Sequence, residues 1–269
     1  MIGAIAGDLA GSKYEHSPIK TKEFELYDEG ARITDDSVLT LATLKAVTES
    51  ESGDPDYAAA YLELGRAHPD AGYGASFQEW LLSKVPKPYG SFGNGSAMRV
   101  SPVGWLFEDE NEVLRQAELS ASVTHNHPEG IKGAQAVAFA IFRLRALDGS
   151  RVQGNYYMQT EGGDLRTEIQ DRFNYDLTGT MDEIRPGYSF DASCQGTVPA
   201  AMISFFEAED FEDALRNAVS LGGDSDTLAC IAGSLAEAAF GVPERTSSFV
   251  LGKLPEDLRA VLDSAGLIG

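Results

Sequence analysis

The chain has 269 residues, 43% hydrophobic and 23% charged, the proportions of an ordinary globular domain with length enough to bury a large core. Lys and Arg number 21 against 42 Asp and Glu, a net charge of −21 with no basic patch, which argues against nucleic acid or an anionic membrane as a direct partner. No run of about eighteen apolar residues marks a membrane span, the N-terminus lacks the basic start of a secretory signal, and the two cysteines, Cys194 and Cys230, form no CxxC pair, so a cytoplasmic protein with reduced thiols in or near its core is expected.

Ile2, Ile5, Ala6, Leu9 and Ala10 recur at helical spacing and predict a first helix. Thr34 is a good N-cap for a second, carried by Val38, Leu41 and Ala42, with Leu39, Ala46 and Val47 widening the apolar face. Further helices are expected over 57–67, 77–84, 110–122, 128–147 and 211–221. The stretch 151–192 is rich in Gly, Asp, Tyr and Thr, carries a turn signal at Arg185-Pro186-Gly187, and reads as one helix flanked by long loops within the same domain. Leu228, Ile231, Ala232, Leu235, Ala236 and Ala239 make the clearest helical pattern, stopped by Gly241 ahead of Val242-Pro243, and a last helix is expected over 255–263. Strand-like alternation is rare and short. The expectation is a single all-α domain over residues 1–269, with helices bearing small residues packed closely at its centre.

Two acidic motifs far apart in sequence, Thr34-Asp35-Asp36-Ser37 and Gly222-Gly223-Asp224-Ser225-Asp226-Thr227, each run directly into one of these helices. A helix mouth holds carboxylates on a rigid backbone where the macrodipole favours negative charge. Hard divalent cations take oxygen ligands, so the motifs together read as two halves of one site able to hold two ions, magnesium or manganese. Each motif taken singly is also a common capping signature. Between them, Tyr89-Gly90-Ser91-Phe92-Gly93-Asn94-Gly95-Ser96 is a glycine-rich loop able to bring backbone N–H groups close to a pyrophosphate, although the same pattern alone is a plain turn. Thr124-His125-Asn126-His127-Pro128 supplies two histidines, which hard cations rarely need as ligands.

These motifs, with the opening Gly7-Asp8-Leu9-Ala10-Gly11-Ser12-Lys13-Tyr14-Glu15 and the middle Gly93-Asn94-Gly95-Ser96-Ala97-Met98-Arg99, resemble the ADP-ribosylglycohydrolase family in content and order, from Ile2 to about Gly241. The resemblance implies a compact orthogonal helical bundle with a binuclear magnesium or manganese centre in a cleft. It implies hydrolysis at the anomeric carbon of ADP-ribose in a modified protein side chain or small conjugate. Carried over by residue, it makes Thr34, Asp35, Asp36, Asp224, Asp226 and Thr227 metal ligands, and Glu15, with Asp35 and Asp224, catalytic. It places Ser91, Gly93, Asn94 and Gly95 on the diphosphate and ribose, Phe92 on adenine and His125 in the ADP-ribose pocket. Asp8 is expected to brace the first helix, and Met98 and Arg99 to pack behind the loop, with Arg99 in reach of a phosphate or an aspartate. Alternatives are a non-catalytic ADP-ribose reader and a magnesium-dependent hydrolase of another nucleotide or sugar phosphate. Arginine, serine, acetyl-ester and polymer linkages are all open, 151–192 with Tyr156-Tyr157 is a region that could shape that choice, and a monomer is the default.

Overall fold

Residues 1–147, 159–160 and 163–267 are described by the computed structural model. In chain order the helices among them are α1 (Ile2–Gly11), α2 (Asp35–Thr48), α3 (Tyr57–Ala67), α4 (Ala75–Leu82), α5 (Gly95–Met98), α6 (Ser101–Leu106), α7 (Glu110–Ser122), α8 (Pro128–Arg145), α9 (Leu165–Phe173), α10 (Met181–Ile184), α11 (Cys194–Phe206), α12 (Phe211–Val219), α13 (Ser225–Phe240), α14 (Glu244–Lys253) and α15 (Glu256–Ser264). The only sheet among the described residues is a two-residue antiparallel pair, Gln159 opposite Asp164 and Thr160 opposite Gly163. No described helix is long and apolar enough to cross a membrane.

α13 is the centre, buried without interruption from Ser225 to Ala236. α1 lies antiparallel against it, and the contact is made by backbone. Gly3, Gly7 and Gly11 share one face of α1 at i, i+4 spacing. A Cβ on any of them would stand closer than 3.0 Å to backbone of α13, at Gly233, at Ala229 and at Ser225–Asp226 respectively. Gly233 answers Gly3 in the same way. Glu237 fastens the other end, pairing with the N-terminal ammonium and accepting the Gly3 N–H at 2.8 Å. The mouth of α13 is thereby set beside the last turn of α1. Around this pair pack α11, α12, α8 and α2, all against α13, with α11 also against α12 and α8, and α2 also against α1 and α3.

The clear periodic segments form the expected helices with shifts at their ends, and Gly241 ends α13 in a positive-φ conformation, φ 74°. Four helices went unread in the sequence. α11 contains Pro199 and is buried on most sides, so neither its composition nor its periodicity announces a helix. α14 buries only Thr246 and Val250, while α5 and α6 span 4 and 6 residues. In the stretch read as one helix between loops there are two, α9 ended by Asn174 at φ 53° and α10 started by a reciprocal Thr180–Glu183 capping box. Tyr156-Tyr157 lie outside the described residues.

Because the Gly7 contact is with backbone that cannot turn aside, Gly7→Ala is expected to destabilise the chain by about 1–3 kcal/mol or more. Gly252→Ala, where the added Cβ meets nothing within 4 Å, is expected to be neutral or to stabilise α14 by about 0.5–1 kcal/mol. Urea unfolding midpoints of the two variants check the pair; equal midpoints would contradict the close approach.

Candidate active site

Asp8, fully buried on α1 beside Gly7, organises the start of α2. Its Oδ2 accepts the backbone N–H groups of Thr34 at 2.8 Å and Ser37 at 3.1 Å and the Ser37 hydroxyl, and its Oδ1 accepts the Thr34 hydroxyl at 2.8 Å. Asp8 therefore braces the second helix, not the first as the sequence reading had it. With Thr34 Oγ1 also accepting the Asp36 N–H at 3.3 Å, the capping needs of α2 are met without Asp35 or Asp36. Their carboxylates are left for the cavity.

At α13 the division is partial, because Asp226 Oδ1 accepts the Thr227 N–H at 3.0 Å. Asp224 occupies the N-cap position but makes no capping bond. Its Oδ2 instead accepts from Asn94 Nδ2 at 2.8 Å, and the other Asn94 amide hydrogen goes to Thr197 Oγ1 at 3.0 Å. Carboxylate oxygens of Glu15, Asp224 and Asp226 lie within 4.8 Å of one another. Thr227 Oγ1 donates to Asp36 Oδ2 at 3.3 Å and joins the two acidic motifs directly. Lys20 ties the chain following Glu15 to the approach of α13, donating to the carbonyls of Arg185 at 2.8 Å, Tyr188 at 2.6 Å and Leu221.

These groups line a cavity of about 430 Å³ together with the glycine-rich loop. That loop is pinned to the start of α11: Asn94 N–H donates to Ala192 O at 2.8 Å and Cys194 N–H to Phe92 O at 2.9 Å. Ser91 Oγ accepts the Gly93 N–H at 3.1 Å. His125, 5% exposed, faces the loop, with Nε2 3.5 Å and 3.2 Å from where Cβ atoms of residues 93 and 95 would be. Burial, and then the charge of Arg99, push its imidazole well below the usual histidine pKa.

The carboxyls shift the other way. Loss of hydration raises Asp8 to about 6 despite its four hydrogen bonds. It raises Asp35 to about 8 with help from the charges of Asp8, Asp224 and Glu15. Asp36 and Asp226 are driven well above the carboxylate range by burial first and neighbouring carboxylates second, and Asp224 and Glu15 rise by burial as well. No lysine or arginine among the described residues pairs with any of the five aspartates; Glu15 has only His16 at 3.6 Å.

A model of the family described as ADP-ribosylglycohydrolase matches residues 1–266. This chain belongs to the ADP-ribosylglycohydrolase family. It is 25% identical to the Homo sapiens protein named ADP-ribosylhydrolase ARH3 over 315 residues, covering 93% of this chain and 86% of that one. An uncharacterized protein of Archaeoglobus fulgidus is 38% identical over 163 residues, 56% of this chain and about half, 51%, of the relative. A solved structure titled ADP-ribosylglycohydrolase-related protein complex superposes with a TM-score of 0.68 over 98% of this chain and 94% of that chain, at 22% identity, which shows the shared fold.

Of the residues the family resemblance singled out, Glu15, Thr34, Asp35, Asp36, Ser91, Gly93, Asn94, Gly95, His125, Asp224, Asp226 and Thr227 come together in the one cavity. Phe92 does not: it is 50% exposed and packs edge-on against His127, ring centroids 5.5 Å apart. Arg99 reaches no aspartate and turns to Ser120 O and Thr124 Oγ1, each at 2.9 Å. The sequence reading missed the wall formed by Gly72, Gly74, Ser76 and Phe77, for which the paired glycines ahead of α4 were the available signal, and the rim residue Phe190, which had none.

The donor set fits divalent cations. Asp36 Oδ1 is buried and has no hydrogen-bond partner, an oxygen that protein leaves unsatisfied at a cost unless something else meets it. Free of cations, each raised carboxyl binds its proton more tightly in the folded than in the unfolded chain. Stability is then greatest near the ordinary carboxylate pKa of about 4 and falls as pH rises through about 6 for Asp8 and about 8 for Asp35. In chelator the unfolding midpoint should fall between about pH 5 and about pH 9, and saturating magnesium or manganese should remove most of that fall. Asp226→Asn should raise the metal-free midpoint at the alkaline end and abolish the stabilisation by cation. A flat profile in chelator would contradict the assignment.

Proposed function

We propose that this protein is a metal-dependent hydrolase that cleaves the bond at the anomeric carbon of ADP-ribose in an ADP-ribosylated protein side chain or a small ADP-ribose conjugate. The observation that carries the reading is the union, in one cavity, of the buried carboxylate cluster with the glycine-rich loop and His125. The name of the ARH3 relatives, ADP-ribosylhydrolase, supports the substrate class.

In this reading Asp35, Asp36, Asp224 and Asp226, with the Thr34 and Thr227 oxygens, hold two magnesium or manganese ions. Such cations, once bound, acidify water and fix vicinal hydroxyls as Lewis acids. Asn94 keeps Asp224 in one orientation through its amide hydrogen bond. Since both amide hydrogens of Asn94 are committed to Asp224 and Thr197, its part in ligand binding falls to its carbonyl oxygen and backbone. Glu15, half-buried with its carboxyl raised by burial, is suited to exchange a proton with the attacking water or the leaving group. The aspartates stabilise the positive charge that develops on the ribose as the bond breaks. Backbone at Gly93 and Gly95 leaves room for the diphosphate to approach.

The test is an assay on ADP-ribosyl-arginine, an ADP-ribosyl-serine peptide and O-acetyl-ADP-ribose, each with magnesium, manganese or chelator. Release of free ADP-ribose from at least one, lost in chelator, is expected; Glu15→Gln should lower kcat about 100-fold or more, and Asp224→Asn or Asp35→Asn should lose turnover at limiting magnesium. ADP-ribose should also bind at least about tenfold more weakly in chelator. Binding of ADP-ribose without release from any conjugate would make the protein a reader, and release of inorganic phosphate would point to a different hydrolase.

A further inference from the structure

Arg99 is the largest fully buried side chain among the described residues. Arg143, Arg145 and Arg166 each meet a glutamate, but Arg99 has no carboxylate partner among the described residues. Its guanidinium stacks 4.1 Å over the Tyr61 ring, Nη2 donates to Ser120 O and Thr124 Oγ1, and Nε and Nη1 have no partner. A buried cation so poorly compensated is costly. What it touches leads straight to the cavity.

Thr124, itself fully buried, places Oγ1 2.7 Å from His125 Nδ1. A guanidinium only donates, so Arg99 occupies a lone pair of that hydroxyl. The hydroxyl hydrogen then points most directly to Nδ1, the nearest acceptor. Tyr89, whose ring lies 6.0 Å from the imidazole and whose phenol also nears Thr124, is 37% exposed and has water as an alternative partner. If Nδ1 accepts, the imidazole proton is on Nε2, and Nε2 has no protein partner among the described residues; it faces the gap left by Gly93 and Gly95.

We propose that Arg99 and Thr124 are positioning residues that hold His125 neutral with its proton on Nε2, so that it offers the cavity one fixed N–H donor for an oxygen of the bound ligand. A neutral donor recognises such an oxygen without bringing a positive charge that would compete with cations for the aspartates. Burial and the Arg99 charge, the one charged group that bears on the ring, both oppose protonation. The tautomer stands on this geometry alone; its consequence for ADP-ribose rests on the function proposed above.

The experiment is a long-range nitrogen–proton correlation spectrum of the labelled protein, in which the 4 histidines are few enough for His125 to be assigned by its loss in His125→Asn. Expected is a protonated Nε2 and an unprotonated Nδ1, unchanged between about pH 5.5 and about pH 8. Thr124→Val should mix the tautomers and raise KM for the conjugate hydrolysed, or Kd for ADP-ribose, about 3- to 10-fold with little change in kcat, and Thr124→Ser should restore both. A proton on Nδ1 in the unmodified protein overturns the proposal without any variant, as does a Thr124→Val protein with an unchanged spectrum. A protein that hydrolyses no conjugate yet shows the Nε2 tautomer would end the hydrolase reading and leave this one intact.

Discussion

The contact on which the site depends is the approach of α1 to α13, two helices from opposite ends of the chain whose backbones touch through Gly3, Gly7, Gly11 and Gly233. Side chains between helices leave play, since rotamers can adjust; backbone against backbone leaves almost none. Asp8 follows Gly7 in the same helix, so its carboxylate inherits that fixed position, and through four hydrogen bonds it passes the position on to Thr34 and Ser37. The start of α2 and the start of α13 are thus registered against one helix. That is how a Thr227 hydroxyl and an Asp36 carboxylate 191 residues apart in sequence come to share a hydrogen bond.

Such registration is necessary because the cluster it holds opposes folding. Carboxylates brought out of water beside one another either keep protons or repel, and the raised pKa values of Asp35, Asp36 and Asp226 record that opposition. The backbone-to-backbone contact of α1 with α13 is a framework that cannot easily relax to let the aspartates separate. Capping falls to Thr34 and Asp8 at α2, while at α13 Asp224 makes no capping bond and Asp226 accepts the Thr227 N–H. Stability is given up locally where the carboxylates of the cluster meet.

How much of this could be read in advance follows from how local each signal is. α2 and α13 announce themselves because periodicity, an N-cap and a stop lie within one continuous stretch, and the acidic motifs are contiguous with them. α11 is silent because burial on most sides erases the apolar stripe and Pro199 counts against a helix. The use of Asp8 is a tertiary fact: its partners are 26 and 29 residues away, and nothing near it in sequence names them. The place of Phe92 outside the cavity lining was hidden for a related reason, since a loop residue's direction is set by what the loop is pinned to, here α11 on one side and His127 on the other. Met98 was expected to pack behind the loop, and it is buried there; Arg99, next to it, turns away to α7.

An acidic cavity that is to hold an anionic diphosphate has a problem of sign. Arg32 and Arg99 both line the cavity, but Arg32 is exposed to solvent and Arg99 donates to Ser120 and Thr124, so neither guanidinium hydrogen-bonds the glycine-rich loop. What the loop offers is backbone N–H groups, and with the His125 tautomer proposed above it gains one neutral N–H. Neutral donors are weak against the field of four buried aspartates and the half-buried Asp35 unless that field is first cancelled. On the proposed function the cations would do this, so that metal and ligand raise each other's affinity by the same factor. On that reading the carboxylates would serve beyond the chemical step, keeping the cavity closed to its ligand until the metal is in place.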